Sequence, residues 1–391
     1  MRPVLRVAAL ATVGVLALSA CSSAATTAPT APAAAPTAPA AASTAPAAAT
    51  PCKSGKPAPT IALIMPNNDD PQYEQQHVPA FKAAIAAISP DIKILNFNSE
   101  ASVQMQQTQA ESAITQGAQV ISLVPNDIKA AATIANEAKA AGVKVIALGR
   151  LIQGAPVDAL ISYDPAYIGQ IQGKALVAAM KERGLQDKMI VMLNGAPSDD
   201  LAVGFKKGAH DILDTSGIKI GAEYDDIDWT PATAQRQMEQ AITKLGAENI
   251  GGVLAVTDGV AGAAAAAMKM AGMDLTKIPM TGQNSDPDGI QRLLIGEQTI
   301  DVYRSLVKDE GVNAKLSVAL GCGDPLPADL INGTKNNGFM DVPAYLAQTI
   351  WPVTKDTIKS VIVADNPNFL DLTKICTPTY AAACAAAGLT P

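Results

Sequence analysis

The chain runs to 391 residues and carries 36 acidic against 29 basic side chains, a formal charge of −7. That balance argues against a nucleic-acid partner and against broad adhesion to anionic lipid. Two histidines in all leave few general bases for catalysis.

Residues 1–20 read as a secretory signal. Arg2 and Arg6 precede an apolar run from Val7 to Leu18, too short to span a membrane, and small residues follow at a cleavage point. Leu18-Ser19-Ala20-Cys21 resembles the lipobox of bacterial lipoproteins. The resemblance implies acylation of the Cys21 thiol and a place at the extracytoplasmic face of the cell membrane; secretion with a stray cysteine is the alternative. Losing Arg2 and Arg6 with the signal takes the charge to −9. Residues 21–56 form a tether. Up to Pro51 it is almost wholly Ala, Pro, Thr and Ser, has no large apolar residue to build a core, and its prolines favour extended backbone, about 3.1 Å per residue. Membrane contact is expected only through the anchor. The roughly 340 residues that remain are too many for one ordinary core and about right for two α/β lobes.

From residue 60 short apolar runs alternate with helical stretches that often stop at Gly. Ile61 to Met65 reads as a first strand, followed by Val78, Phe81, Ile85 and Ile88 at helical spacing. Ile92 to Phe97 is a strand, Val103 to Gln116 a helix stopped by Gly117, and Val120 to Val124 a buried strand. Pro125-Asn126-Asp127 opens a helix ending at Gly142, and Val143 to Leu148 completes the run. After Tyr163-Asp164-Pro165 a helix reaches about Arg183, and strands follow at Ile190 to Leu193, Ile218 to Tyr224, Val253 to Val256 and Ile278 to Thr281. Near-continuous apolar strands separated by helices predict two doubly wound parallel sheets, each covered on both faces.

Parallel sheets bind ligands at the carboxyl ends of their strands. The residues found there are Asn67 and Asn68, Arg150, Asp199 and Asp200, Trp229, Thr257 and Asp258, Asn284 and Arg304. Planar polar groups beside a large aromatic suit a sugar, whose hydroxyls donate and accept while its C–H face stacks on a ring. Each has a structural alternative. Asp199 or Asp200 can cap the following helix, Thr230-Pro231 has the form of an N-cap and first-turn pair, Arg150 can be a surface ion pair, and Asp258 reads as a helix cap. Catalytic signatures are absent: no Gly-x-Ser-x-Gly, no phosphate loop and no His-Glu-x-x-His. Asp225-Asp226-Ile227-Asp228 lacks a calcium-loop glycine and reads as a solvated turn. The chain is therefore expected to be neither an enzyme nor a cofactor or metal protein.

Over about residues 60 to 365 the chain resembles the xylose-binding branch of the ribose-binding-like family, the solute-binding proteins of bacterial sugar ABC importers. The markers are Leu148-Gly149-Arg150-Leu151-Ile152, Ile161-Ser162-Tyr163-Asp164, Gly195-Ala196-Pro197-Ser198-Asp199, Asp228-Trp229-Thr230-Pro231, Thr281-Gly282-Gln283-Asn284, Val302-Tyr303-Arg304 and Asn336-Asn337-Gly338. The resemblance implies the type I periplasmic binding protein fold, two lobes joined by three strands near Ala159 to Asp164, Thr299 to Tyr303 and Ala344 to Ile350. One lobe would take 57–162 with 301–345, the other 163–300 with 346–391. It also implies a pentose site in which Arg150, Asp199 and Trp229 keep the expected residue type and six positions do not. Gln72 stands for an Arg beside a stacking aromatic, here Tyr73; Gly149 for an Asp; Leu201 and Thr257 for Asn; Asn284 for an Asp; Arg304 for a Lys. Buried polar groups reject a ligand that leaves them unpaired, so these departures should redirect specificity among sugars and polyols.

The expected function is a tethered monomeric receptor that closes on a small sugar or polyol and docks on an ABC permease with its ATPase. A sensory lipoprotein of the same fold, a binder of a non-sugar molecule, and an enzyme using Asp199 and Asp200 are the alternatives. Four cysteines remain besides Cys21, an even number in an oxidising compartment, which favours two disulfides over metal binding. Cys376 and Cys384 can close a short loop, while Cys52 and Cys322 both fall at the end of the first lobe away from the cleft. The expected pairs are Cys52 with Cys322 and Cys376 with Cys384.

Overall fold

The computed structural model describes residues 51–67, 72–227 and 229–390. The signal, Cys21 and most of the tether, like Asn68 and Asp228, lie outside the described residues.

The first body is built from β1 (Thr60–Met65), α1 (Val78–Ile88), β2 (Lys93–Asn98), α2 (Val103–Thr115), β3 (Val120–Leu123), α3 (Ala131–Ala140), β4 (Lys144–Leu148) and β5 (Ala159–Tyr163). The second comprises α4 (Pro165–Glu182), β6 (Met189–Asn194), α5 (Asp200–Leu213), β7 (Ile220–Asp225), α6 (Pro231–Leu245), β8 (Ile250–Ala255), α7 (Asp258–Met270) and α8 (Pro287–Ile295). The chain then runs through β9 (Asp301–Arg304), α9 (Leu306–Cys322), β10 (Gly333–Asn336), β11 (Asp341–Ala347) and β12 (Ile350–Val353), and ends in short helices α10 (Leu372–Ile375) and α11 (Ala381–Ala386).

The first sheet has the order β10-β11-β5-β4-β3-β1-β2 and is parallel except for β10. Its central strands are buried on both faces because residues of alternate parity serve different helices. Ile61 and Leu63 meet Phe81 and Ile85 of α1 and Leu316 of α9, while Ala62 and Ile64 meet Ala110 of α2 and Ile134 of α3. In the second sheet, order β7-β6-β8, Ile190 and Met192 turn to α4 and α5, and Val191 and Leu193 to α6 and α7. Cys52 is bonded to Cys322 and Cys376 to Cys384, with Cα separations of 5.2 and 5.8 Å.

The chain passes between the bodies at Asp164, at Ser305 and at Gln348-Thr349. Strand β9 pairs antiparallel with β12. Two differences from the expected elements have local causes. The strand expected at Ile278 to Thr281 is reduced to single bridges from Val253 to Met280 and from Thr281 to Ile300. Pro279 has no N–H to give, and the Thr281 hydroxyl takes over the next ladder contacts, accepting from Ala255 N and donating to Ala255 O. Helix α3 begins at Ala131 instead of following Pro125 directly, because Asp127 Oδ1 accepts from the N–H groups of Lys129 and Ala130 and holds a turn there.

Candidate functional site

One cleft, about 920 Å³ including space open to solvent, lies at the carboxyl ends of both sheets. Asn67 after β1, Gln72, Tyr73 and His77 entering α1, Val124 after β3, and Leu148, Gly149 and Arg150 at the end of β4 line it from the first body. The second contributes Asp199, Leu201 and Phe205 at the start of α5, Trp229 to Pro231 after β7, Thr257, Gly259 and Val260 opening α7, and Gln283 with Asn284. Tyr163, Arg304 and Asp309 stand at the passages between the bodies.

Eight of the nine expected ligand residues are thus together on one wall or another. The exception is Asp200. It is the first residue of α5, points its carboxylate at the backbone N–H of Leu151, and does not line the cleft. Asp199, expected as either cap or ligand group, has two jobs in the structure: Oδ1 accepts from Leu201 N at 2.9 Å, and Oδ2 pairs with Arg150 Nε at 2.6 Å. Arg150 Nη1 donates to Pro125 O at 2.8 Å. This is a buried pair reaching from one body to the other, not the surface ion pair considered for Arg150. Burial works against the Arg150 charge, but Asp199, Tyr73 and Tyr163 more than offset it, and its pKa is raised.

Asp258 is not a cap. Thr257 is the N-cap of α7, its hydroxyl accepting from Val260 N, while the buried Asp258 carboxylate accepts from Asp286 N and Gln298 Nε2 and braces the floor behind the cleft. Asp226 is buried too, so the acidic run is not simply a solvated turn; Asp225 pairs with Lys206.

Trp229 sits in the left-handed region, φ 54°, immediately before the Thr230 N-cap and Pro231 of α6. Strain at a non-glycine residue of this kind is kept where a side chain must be aimed. The outer carbons of its six-membered ring close on Gly195, and its indole N–H is buried without a hydrogen-bond partner. Asn284 (φ 98°) is similarly strained, and its Nδ2, Gln283 Oε1 and Asp309 Oδ1 are buried and unpaired as well. Arg304 lies 4.1 Å over the Tyr163 ring, which stacks on Phe205, and Arg304 Nε is 3.3 Å from Asp309 Oδ2.

His77, Tyr163, Phe205, Gln283 and Asp309 were missed as lining residues. Tyr163 and Gln283 lie within the marker motifs quoted above. His77 and Asp309 carry no such signal; they meet only because α9 packs on α1, where His77 Nδ1 pairs with Glu310 Oε1.

Burial, and then the neighbouring Asp199, push the Asp200 carboxyl up to about 6, against the Leu151 N–H and Arg150. One of its oxygens is buried without a partner. A carboxyl raised in the folded state gives stability that is complete below its unfolded pKa of about 4 and is lost as pH rises through about 6. Asp200→Asn keeps an acceptor for Leu151 and removes that loss. It should raise stability at pH 7.5 by on the order of 1 kcal/mol after the helix N-terminus gives up its charge. The gain should shrink towards pH 4; thermal melts showing a gap independent of pH would overturn this.

A deep cleft between two doubly wound bodies joined by three passages, with polar groups converging from both sides, defines a two-lobed ligand-binding protein. The periplasmic binding protein domain matches residues 61–321, and the chain belongs to that family. The D-xylose-binding periplasmic protein of Escherichia coli is 32% identical over 266 residues, 67% of this chain and 77% of that protein. The multiple sugar-binding periplasmic protein SbpA of Azospirillum brasilense is 28% identical over 316 residues, 75% of this chain and 85% of that one. An ABC transporter solute-binding protein from Clostridium phytofermentans with bound β-D-glucose superposes with a TM-score of 0.71 at 21% identity, covering 81% of this chain and 99% of its own. The family's place is outside the cytoplasm, and among the described residues no helix is long and apolar enough to cross a membrane.

Proposed function

We propose that the protein is an extracytoplasmic receptor that captures a small sugar or polyol in the cleft and passes it to an ABC permease. Four buried polar atoms without partners, two donors (Trp229 Nε1, Asn284 Nδ2) and two acceptors (Gln283 Oε1, Asp309 Oδ1), carry this reading. A buried orphan is costly, and a ligand bearing several hydroxyls satisfies donors and acceptors alike. Relatives named for D-xylose and for multiple sugars support the same class. Gln72, Tyr73, Arg150, Asp199, Trp229, Thr257, Asn284 and Arg304 contact the ligand in this reading, with Asp200 holding the lobes behind them. No cofactor takes part and no turnover is expected. The lobes close about the three passages, and the closed form is what the permease meets.

A thermal-shift screen of pentoses, hexoses, deoxy sugars, polyols and amino acids tests it. A sugar at about 100 times its Kd adds about 2.7 kcal/mol of stability. A shift from amino acids alone, or from nothing in the panel, would overturn the reading; a sugar that shifts the melt but is not taken up by vesicles carrying the cognate permease would overturn the transport step. Acylation of Cys21 anchors a monomer to the membrane through the tether. Cys21→Ser should release the protein into the soluble fraction, and unchanged membrane retention would refute the anchor.

A further inference from the structure

Behind the cleft, and not lining it, stand two carboxyl groups from different elements, Asp258 at the start of α7 and Asp301 at the start of β9. They are 1% and 0% exposed and in hydrogen-bonding contact with each other. Two carboxylates bond to one another only through a proton. Asp301 Oδ2 has no other donor. The Gln298 amide gives its hydrogens to Asp258 Oδ1 at 2.8 Å and Ile300 O at 3.3 Å, and the Ser285 hydroxyl, itself unpaired, does not reach it. Asp258 accepts from two N–H groups and lies 4.0 Å from Arg292 Nη2, whereas Asp301 accepts from one N–H, so the proton sits on Asp301. Burial, and then Asp258 and Asp286, hold that carboxyl well above the usual carboxylate range. Arg292 and Asp286 are the charged groups that act on the pair.

The pair also grips the loop that brings Gln283 and Asn284 to the cleft. Gln283 O accepts from Asp258 N at 3.0 Å. The next three amides, of Asn284, Ser285 and Asp286, donate in turn to Val302 O, Asp301 Oδ1 and Asp258 Oδ2 at 3.1, 3.3 and 2.9 Å. Asn284 and Ser285 are both in left-handed backbone, φ 98° and 57°, which persists only where the surroundings enforce it.

We propose that Asp301 is a positioning residue for ligand binding: one proton shared by Asp301 and Asp258 clamps the strained loop 283–286, and with it the polar groups that Gln283 and Asn284 offer the sugar. This rests on the sugar reading above. With the proton gone, two buried carboxylates repel each other while each holds an amide of the same loop, and the loop loses its fixed place.

The test uses the full mature chain. Carbon-13 NMR of labelled aspartate carboxyls at about pH 7.5 should show one carboxyl still protonated in the wild type and none in Asp301→Asn. That pH is above the Asp200 and Asp309 carboxyls, which burial raises to about 6. Calorimetry follows with D-xylose and then the other sugars of the screen. At that pH Asp301→Asn, whose amide donates to Asp258 and accepts from Ser285 N as the acid does, should bind within about twofold of the wild type. Asp301→Val, which does neither, should bind at least about tenfold more weakly. As pH rises through the point where the NMR signal loses its proton, wild-type affinity should fall at least about tenfold while that of Asp301→Asn holds. A purely structural role would not split the two profiles, and the split decides the matter if Asp301→Val does not fold. An ionised pair in the wild type at about pH 7.5, parallel loss of affinity in wild type and Asp301→Asn, or undiminished affinity in Asp301→Val overturns this inference and leaves the sugar reading intact. Failure of every sugar to bind overturns both.

Discussion

Gly195→Ala is expected to cost at least tenfold in ligand affinity, about 1.4 kcal/mol, although position 195 offers the ligand no side chain. A Cβ at 195 would stand 2.0 Å from Cη2 and 2.1 Å from Cζ2 of Trp229. The indole cannot swing aside freely, because the residue is already in left-handed backbone and the next two residues are the cap and first turn of α6. Displacing the ring removes a stacking surface and an unpaired N–H together. Trp229→Ala should therefore weaken binding by a similar factor, and the double variant should be no worse than Trp229→Ala alone, since both act through one ring. Titration of the three variants with a sugar found in the screen decides it; wild-type affinity in Gly195→Ala would mean that the ring position is immaterial.

Gly208→Ala should be the more damaging change to the fold. Helices α4 and α5 cross so closely that a Cβ at 208 would lie 1.9 Å from the carbonyl oxygen of Ala166, and one at Gly169 would lie 2.0 Å from that of Phe205. Backbone oxygens cannot turn away as a side chain can, so the helices must separate and their shared core must open. Overpacking costs about 1–3 kcal/mol, and this contact belongs at the upper end. The fall in Tm should be on the order of 6 °C or more. Gly311→Ala is the control. It also lies inside a helix, α9, but nothing stands within 4 Å of its Cβ, so it should be neutral or add about 0.5–1 kcal/mol. Equal melting of the two variants would show that the crossing is looser than these distances imply.

Most of the architecture was legible because strand burial writes itself into composition. Runs such as Ile61 to Met65, and Val120 to Val124 with Ser122 as its one polar residue, are so nearly apolar throughout only if both faces are covered. The strand at Ile278 to Thr281 misled for the same reason, since apolar character says nothing of the missing N–H at Pro279. Strand ends were a sound guide to the cleft because the sheets are parallel, and Arg150, Trp229, Thr257 and Asn284 were found that way. Asp199 and Asp200 look alike in sequence. One helical step turns the first to the cleft and the second to Leu151, a distinction that only the start of α5 makes. Asp309 was out of reach for a different reason. It comes to the cleft from a helix that returns to the first body after more than a hundred residues in the second, and no local pattern marks such a return.

The bond between Cys52 and Cys322 also sets how the fold carries mechanical load. A pull on the chain ahead of Cys52 would otherwise run straight into β1, which lies between β2 and β3, and tear at the sheet from Thr60 inward. The crosslink diverts that pull into the far end of α9, a 17-residue helix seated across β1, β3, β4 and β5. Tension is then shared by four strands at their amino ends. The opposite ends, where Gly149 and Tyr163 face the cleft, stay out of that line of force.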